Sequence, residues 1–165
     1  MKKLILMALI ALPMSLFAQQ KFAHVNSAEI IQALPEYTKA QTDLQALGKQ
    51  YEDELMRMQT ELQTKSEDYE KNEATLPEAV KQRRQQELQD LYQRFTQYQQ
   101  TSQQEFGKAQ QAKMAEITEK VSAAIKAVGN EGGYVYVMDV TAGIPFINET
   151  ISKNVTAEVK AKLGL

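Results

Sequence analysis

The sequence has no cysteine and no tryptophan, one histidine, four prolines and seven glycines in 165 residues. Without cysteine there is no disulfide and no lipid-anchored lipoprotein, so the chain must hold itself by packing or by oligomerisation. His24 is the single histidine, with no cysteine or paired-acid context, and its expected role is structural. No Gly-rich phosphate loop occurs, which excludes ATP-driven action at the level of motif, and the carboxylates are spread along helices as solvated faces require. Neither catalysis nor a cofactor or metal site finds support, and the chain reads as a binding protein.

A long apolar run occurs once. Lys2 and Lys3 precede the uncharged stretch Leu4 to Leu12; Pro13 breaks it, and Ser15 to Ala18 offers a cleavage zone. This is the pattern of a secretory signal (residues 1–18) cut after Ala18, and the run is too short to span a bilayer, which needs about 20 apolar residues. The mature chain would start at Gln19 and carry 17 basic and 21 acidic residues, a net charge of −4 (19 minus the signal's two lysines, against 21). That mild acidity suggests neither nucleic-acid binding nor more than weak contact with an anionic membrane surface. The sequons at Asn148 and Asn154 are read as chance in a chain with a bacterial-type signal.

Proline and glycine are also scarce where it matters. Between Glu36 and Val128 the only proline is Pro77, and glycine appears only at 48 and 107. Good helix formers dominate. Leu44, Leu47, Tyr51, Leu55, Met58, Leu62 and Tyr69 follow steps of three and four, with Lys65 at the one polar seam position. Val80, Leu88, Leu91, Phe95, Tyr98, Phe106 and later apolar residues repeat that spacing. This is a coiled-coil seam. Residues 72–77 (NEATLP) interrupt it, with Thr75 able to cap the second helix, so residues 35–128 are expected to fold as an antiparallel helical hairpin with its tip there. Pro35 suits the first position of that hairpin.

The two flanks, 19–34 and 129–165, read as a small β body with short helices. Phe22 to Asn26 alternates like a strand, and Ser27 can cap a helical turn. Gly129 to Gly133 forms a helix stop; Tyr134–Asp139 and Ile144–Ile147 then read as a β-hairpin, and Asn154 or Thr156 can cap a last helix. A few short strands cannot bury a core alone. Phe22, Val25, Val135, Val137, Ile144 and Phe146 therefore need a second copy to cover them, and the body is expected to close by oligomerisation. The fold class is α+β, mainly α.

The order of parts resembles the OmpH/Skp family of periplasmic chaperones. The most specific pieces are Phe22-Ala-His-Val-Asn-Ser-Ala-Glu-Ile-Ile with Pro35-Glu36, then Tyr134-Val-Tyr-Val-Met-Asp139, Ile144-Pro-Phe-Ile and Ser152-Lys-Asn-Val-Thr-Ala-Glu-Val159. The resemblance implies a jellyfish-like homotrimer whose helical tentacles enclose unfolded outer-membrane proteins. It implies an ATP-independent holdase in the periplasm. The rival reading is a structural coiled-coil spacer or adaptor of the cell envelope. One departure stands out: enteric members are strongly basic, whereas Thr38 to Val128 here carries 13 Lys and Arg against 15 Asp and Glu.

Candidate client contacts are mostly residues off the seam, Phe95 being the seam residue among them. Met56 is adaptable and off-seam, with Tyr37, Tyr92 and Phe95 as further candidates. Gln93, Gln97 and Gln100 belong to a glutamine-rich stretch of the second arm that could form a neutral, hydrogen-bonding wall, or simply a solvated helix face. Lys81, Arg83 and Arg84 cluster just past the tip, where a solvated charge run and a contact with lipid head groups are the two readings. Gly48 and Gly107 fall at similar heights on opposite arms, which suggests a hinge, or close helix approach at that level.

Overall fold

The computed structural model describes residues 21–165; the expected signal sequence and its cleavage site lie outside the described residues. Two compact units make up the chain. One combines the described residues up to Ala33 with Glu119–Leu165, and the other is Leu34–Thr118.

The first unit is organised by a central strand, β1 (Lys21–Val25), which continues through Asn26 into helix α1 (Ser27–Ala33). Asn26 caps this helix: its Oδ1 accepts from Glu29 N at 3.1 Å. The expected cap, Ser27, instead sits inside the first turn, where its hydroxyl is engaged elsewhere. Beyond the long helices, the chain returns as β2 (Tyr134–Asp139), makes a 3-10 turn over Val140–Ala142, and adds β3 (Ser152–Asn154) before a last helix over Thr156–Lys162. The strand order is β2-β1-β3, and both neighbours run parallel to β1.

The expected hairpin of Tyr134–Asp139 with Ile144–Ile147 does not form. Pro145 has no N–H to give a ladder, and the Asp139 carboxylate takes the Thr141 N–H at 3.1 Å, turning the chain out of the sheet. Asn148 then organises a second turn, accepting from Ser152 N at 2.9 Å through its carbonyl, and only Ser152–Asn154 reaches β1. Asn154 Oδ1 accepts from Thr156 N at 3.0 Å, so the expected capping side chain does hold the start of the last helix.

Ala23, His24 and Val25 are all buried, as befits a strand paired on both sides. With Ile30, Val155 and Val159 they form the body core, joined by Val121, Ala124 and Val128. Each fully buried Val or Ile contributes roughly 1.5–3 kcal/mol. Lys160 Nζ reaches Glu29 at 2.6 Å, tying the last helix to α1.

The second unit is the helical hairpin. Helix α2 (Pro35–Asn72) starts with proline in its first turn, a 3-10 turn over Glu73–Thr75 reverses the chain, and helix α3 (Glu78–Gly132) runs back. Thr75 does not cap α3. Its hydroxyl donates to Asn72 O at 2.9 Å, closing the end of α2, while Pro77 O accepts from Val80 N and Lys81 N to open α3.

The helix stop also falls later than the first glycine suggests: α3 continues through Gly132 and ends where Gly133 adopts φ 63°, a left-handed conformation that glycine enters freely. Gly129 serves packing instead. A Cβ there would lie 3.3 Å from Val137 Cγ2, so the glycine lets this end of α3 lie close on β2.

Across the hairpin, Leu91 and Ser102 are buried and most other seam residues are half-buried, since two helices cover each other on one side only. The arms are fastened by an edge-to-face pair of Tyr51 and Tyr98 with centroids 6.2 Å apart, by Lys113 to Asp43 at 3.1 Å and by Lys65 to Glu87. Lys65, the polar seam position, thus has its partner on the opposite arm. Leu91 is the most deeply buried of the seam leucines. Leu91→Ala should destabilise the hairpin by about 2–4 kcal/mol, read as a lowered urea midpoint of the helical signal.

Candidate functional site

Two surfaces can act on other molecules. On the body, the register sets Tyr136 beside Phe22 and Met138 beside His24, so these four share one face of the sheet. The rings of Phe22 and Tyr136 stack at 6.1 Å. That face is incompletely covered: Tyr136 is 62% and Met138 52% exposed, with Val135 at 47% on the same strand. Phe146 and Ile151, in the segment before β3, are 77% and 64% exposed. So many large apolar side chains in one small unit mark a surface that expects a partner.

Of the residues expected to build an oligomer interface, Val135 and Phe146 are exposed, Phe22, Val137 and Ile144 are half-buried, and Val25 is fully buried inside the unit. Val25 is a core residue. Tyr136, Met138 and Ile151 are exposed apolar residues outside that expected set. The signal was present in Tyr134-Val-Tyr-Val-Met, apolar at every position, which marks a strand needing cover on both faces.

The edge of this surface is held by Asp139. Its Oδ2 accepts from Ser27 Oγ at 2.5 Å, and its Oδ1 from the N–H groups of Ser27 at 3.2 Å and Thr141 at 3.1 Å. Burial pushes this carboxyl up, but the hydrogen bonds from Ser27 and Thr141 outweigh it and hold it below its ordinary value. Behind it, Asn26 N donates to Thr156 Oγ1 and Val155 N donates to His24 O, and His24 Nδ1 lies 3.0 Å from Ser152 Oγ. His24 is a sheet residue with a hydroxyl partner.

The second surface is the outside of the hairpin. Met56 and Tyr92 are 66% and 61% exposed, and Gln93, Gln97 and Gln100 are exposed on α3; Tyr37 and Phe95 are half-buried. Phe95 belongs to the seam and is the weakest of these for contact. In the tip cluster, Arg83 is exposed, Lys81 is half-buried, and Arg84 reaches across to Asp68 at 3.7 Å. Five further cations, Lys39, Arg57, Lys65, Lys71 and Lys113, each lie beside a carboxylate. With 13 basic against 15 acidic residues over residues 38–128, the hairpin carries no excess of positive charge. A Cβ at Gly48 would meet Phe106 at an ordinary 3.5 Å and one at Gly107 would meet nothing within 4 Å, so neither glycine is imposed by close helix approach.

Among the described residues no group of three or more His, Cys, Asp or Glu is placed to hold a metal ion, and no helix is long and apolar enough to cross a membrane.

Replacing Asp139 with Ala should cost about 2 kcal/mol of body stability, the value of hydrogen bonds to a charged acceptor. Because its folded pKa is depressed, the wild-type advantage should be full above the ordinary carboxylate range and fade as pH falls through the folded value. Urea titrations of wild type and Asp139→Ala between pH 7 and pH 3 check both statements; parallel curves would refute the linkage.

Comparison with known proteins agrees with this architecture. The family model described as outer membrane protein (OmpH-like) matches residues 21–163. The chain is similar to a protein named Chaperone protein Skp from Photorhabdus luminescens, 31% identical over 163 residues, covering 96% of this chain and 97% of that one. A protein of the same name from Yersinia enterocolitica is 27% identical over 139 residues, covering 84% and 83%. A solved structure from Caulobacter crescentus, described as OmpH-like, shares the fold with a TM-score of 0.75 at 16% identity over 88% of this chain and 85% of that one. The chain belongs to the OmpH-like family.

Proposed function

We propose that this protein is an ATP-independent holdase of the periplasm that keeps unfolded outer-membrane β-barrel proteins from aggregating. The observation that carries the reading is likeness over nearly the full length of both chains to a protein named as a chaperone. The proposal includes export, with cleavage after Ala18, and assembly into a homotrimer whose hairpins enclose the client. The exposed Val135, Tyr136, Met138 and Phe146 support self-assembly, because an apolar surface of that kind is costly to leave in water. The number three rests on the family resemblance.

Within this reading, Met56, Tyr37, Tyr92, Phe95, Gln93, Gln97 and Gln100 are the client contacts. Many weak contacts around one client add up to retention, yet each releases without an energy source. Lys81, Arg83 and Arg84 offer at most a weak membrane-surface contact, since Arg84 is already matched by Asp68. Gly48 and Gly107 act as soft points in the arms.

Purified mature protein should suppress aggregation of a barrel protein diluted from urea at about one trimer per client, without nucleotide; undiminished aggregation, the outcome for a spacer, would defeat the reading. Tyr136→Asp with Met138→Asp should shift the solution mass toward monomer and weaken suppression. An unchanged mass would remove these two side chains from the interface. Gly48→Ala with Gly107→Ala should raise helix stability by about 1 kcal/mol per site and narrow the spread of hairpin conformations seen by small-angle scattering. If the spread is unchanged, the glycines are not hinges.

A further inference from the structure

The glutamines of α3 are ordered in a way their abundance alone does not reveal. Gln86, Gln89, Gln93, Gln97, Gln100 and Gln104 follow steps of three and four, which sets them in one stripe along the helix. The 18 residue-to-residue steps from Gln86 to Gln104 make the stripe about 27 Å long. It runs opposite the seam residues Leu91, Phe95, Tyr98 and Ser102, and all six glutamines are exposed.

Charge is sorted to one side of this stripe. Its one flank carries Tyr92, Thr96 and Gln103, none of them charged. Its other flank carries Asp90, Arg94 and Lys108, with Glu87 and Glu105 further round toward the seam. The outward face of α2 is built differently, with Lys49, Asp53, Arg57, Glu67 and Lys71 interspersed among uncharged residues such as Thr60 and Thr64. Both faces meet water, so solvation alone does not call for the uncharged one. The two arms solve the same solubility problem with different chemistry.

A carboxamide carries the donor and the acceptor of a peptide group. A row of them can pair with the N–H or the C=O of an extended chain in either direction, and flexible side chains let each one adjust. Tyr92, 61% exposed beside the row, adds an apolar surface with a polar tip. Such a surface reads backbone, which every unfolded polypeptide offers, and ignores side-chain charge.

Resting on the holdase reading above, we propose that the glutamine stripe of α3 is a binding site for the peptide groups of unfolded chains, and that it makes client capture blind to net charge. The charge balance of the hairpin fits this, since 13 basic against 15 acidic residues over residues 38–128 give no excess of positive charge to select acidic clients.

The test uses the full mature protein and two unfolded probes of opposite charge, an acidic outer-membrane barrel protein and reduced lysozyme. Wild type should bind both, and each Kd should change by no more than about threefold between 50 and 500 mM NaCl. The quadruple change Gln89→Ala, Gln93→Ala, Gln97→Ala, Gln100→Ala keeps helix propensity and neutrality while removing the amides. It should weaken both probes by about tenfold with the helical signal intact. Gln93→Glu with Gln97→Glu should instead separate the probes, weakening the acidic one and strengthening the basic one. Unchanged affinity of the alanine variant for both probes, or steep salt dependence of wild type, overturns the stripe while leaving the holdase reading standing. Wild type that neither binds nor protects the barrel protein overturns the holdase reading itself.

Discussion

Everything in the body depends on β1 being a central strand. It is five residues long, and both of its edges are paired with segments more than a hundred residues away in sequence. Closing such separations costs conformational entropy, although the cost grows only slowly with loop length. Three backbone-level ties meet where β1 ends: Val155 N to His24 O, Asn26 N to Thr156 Oγ1, and Ser27 N to Asp139. Each joins β1 or the start of α1 to a segment from the far end of the chain. The complete burial of Val25 between them excludes water from those bonds.

Parallel pairing imposes the second constraint. A parallel partner cannot follow through a tight turn, so each neighbour of β1 arrives by a long connection. For β2 that connection is the whole helical hairpin; for β3 it is the segment after Asp139, shaped by two side-chain-directed turns at Asp139 and Asn148. The same geometry leaves the sheet with free strands at both edges and an uncovered apolar face. Val135, Tyr136 and Met138 thus keep apolar surface of the sheet in contact with water.

The long helices were legible because their period is sustained and their breakers are few. Steps of three and four over many turns, with Pro35 at one start and Pro77 before the other, leave little choice. The sheet was harder. Tyr134–Asp139 and Ile144–Ile147 have the composition of two hairpin strands, and local signals favour local pairing. What overrides them is tertiary: β1 arrives from the other end of the chain to offer a better partner, and Asp139 commits its carboxylate to Ser27 and Thr141. Capping misled in the same way. Ser27 and Thr75 are good caps by type, but Asn26 and Pro77 hold the positions that matter, and a one-residue shift reassigns a hydroxyl from helix end to tertiary contact. Residue type singled out Phe146, Val135 and Met56, all of which are exposed, whereas the exposure of Tyr136 and Met138 was signalled only by the unbroken apolar run of their strand.

The contrast between the two arms bears on how a holdase can work without charge. A basic surface gains long-range attraction for acidic chains, at the cost of salt sensitivity and of selectivity for one sign of charge. Here three cations pair across the arms, Lys65 with Glu87, Arg84 with Asp68 and Lys113 with Asp43, and others pair with neighbours within a helix. Used that way they set the register of the hairpin, since a seam position with a lysine accepts only the alignment that brings it a carboxylate. Under the proposed reading, contact with a client then falls to neutral groups, and amides and the exposed Tyr92 are neutral groups on the outside of α3. Weak contacts repeated along a helix suit a chain that must be held unfolded and later let go, because no single one of them has to be broken against a strong opposing field.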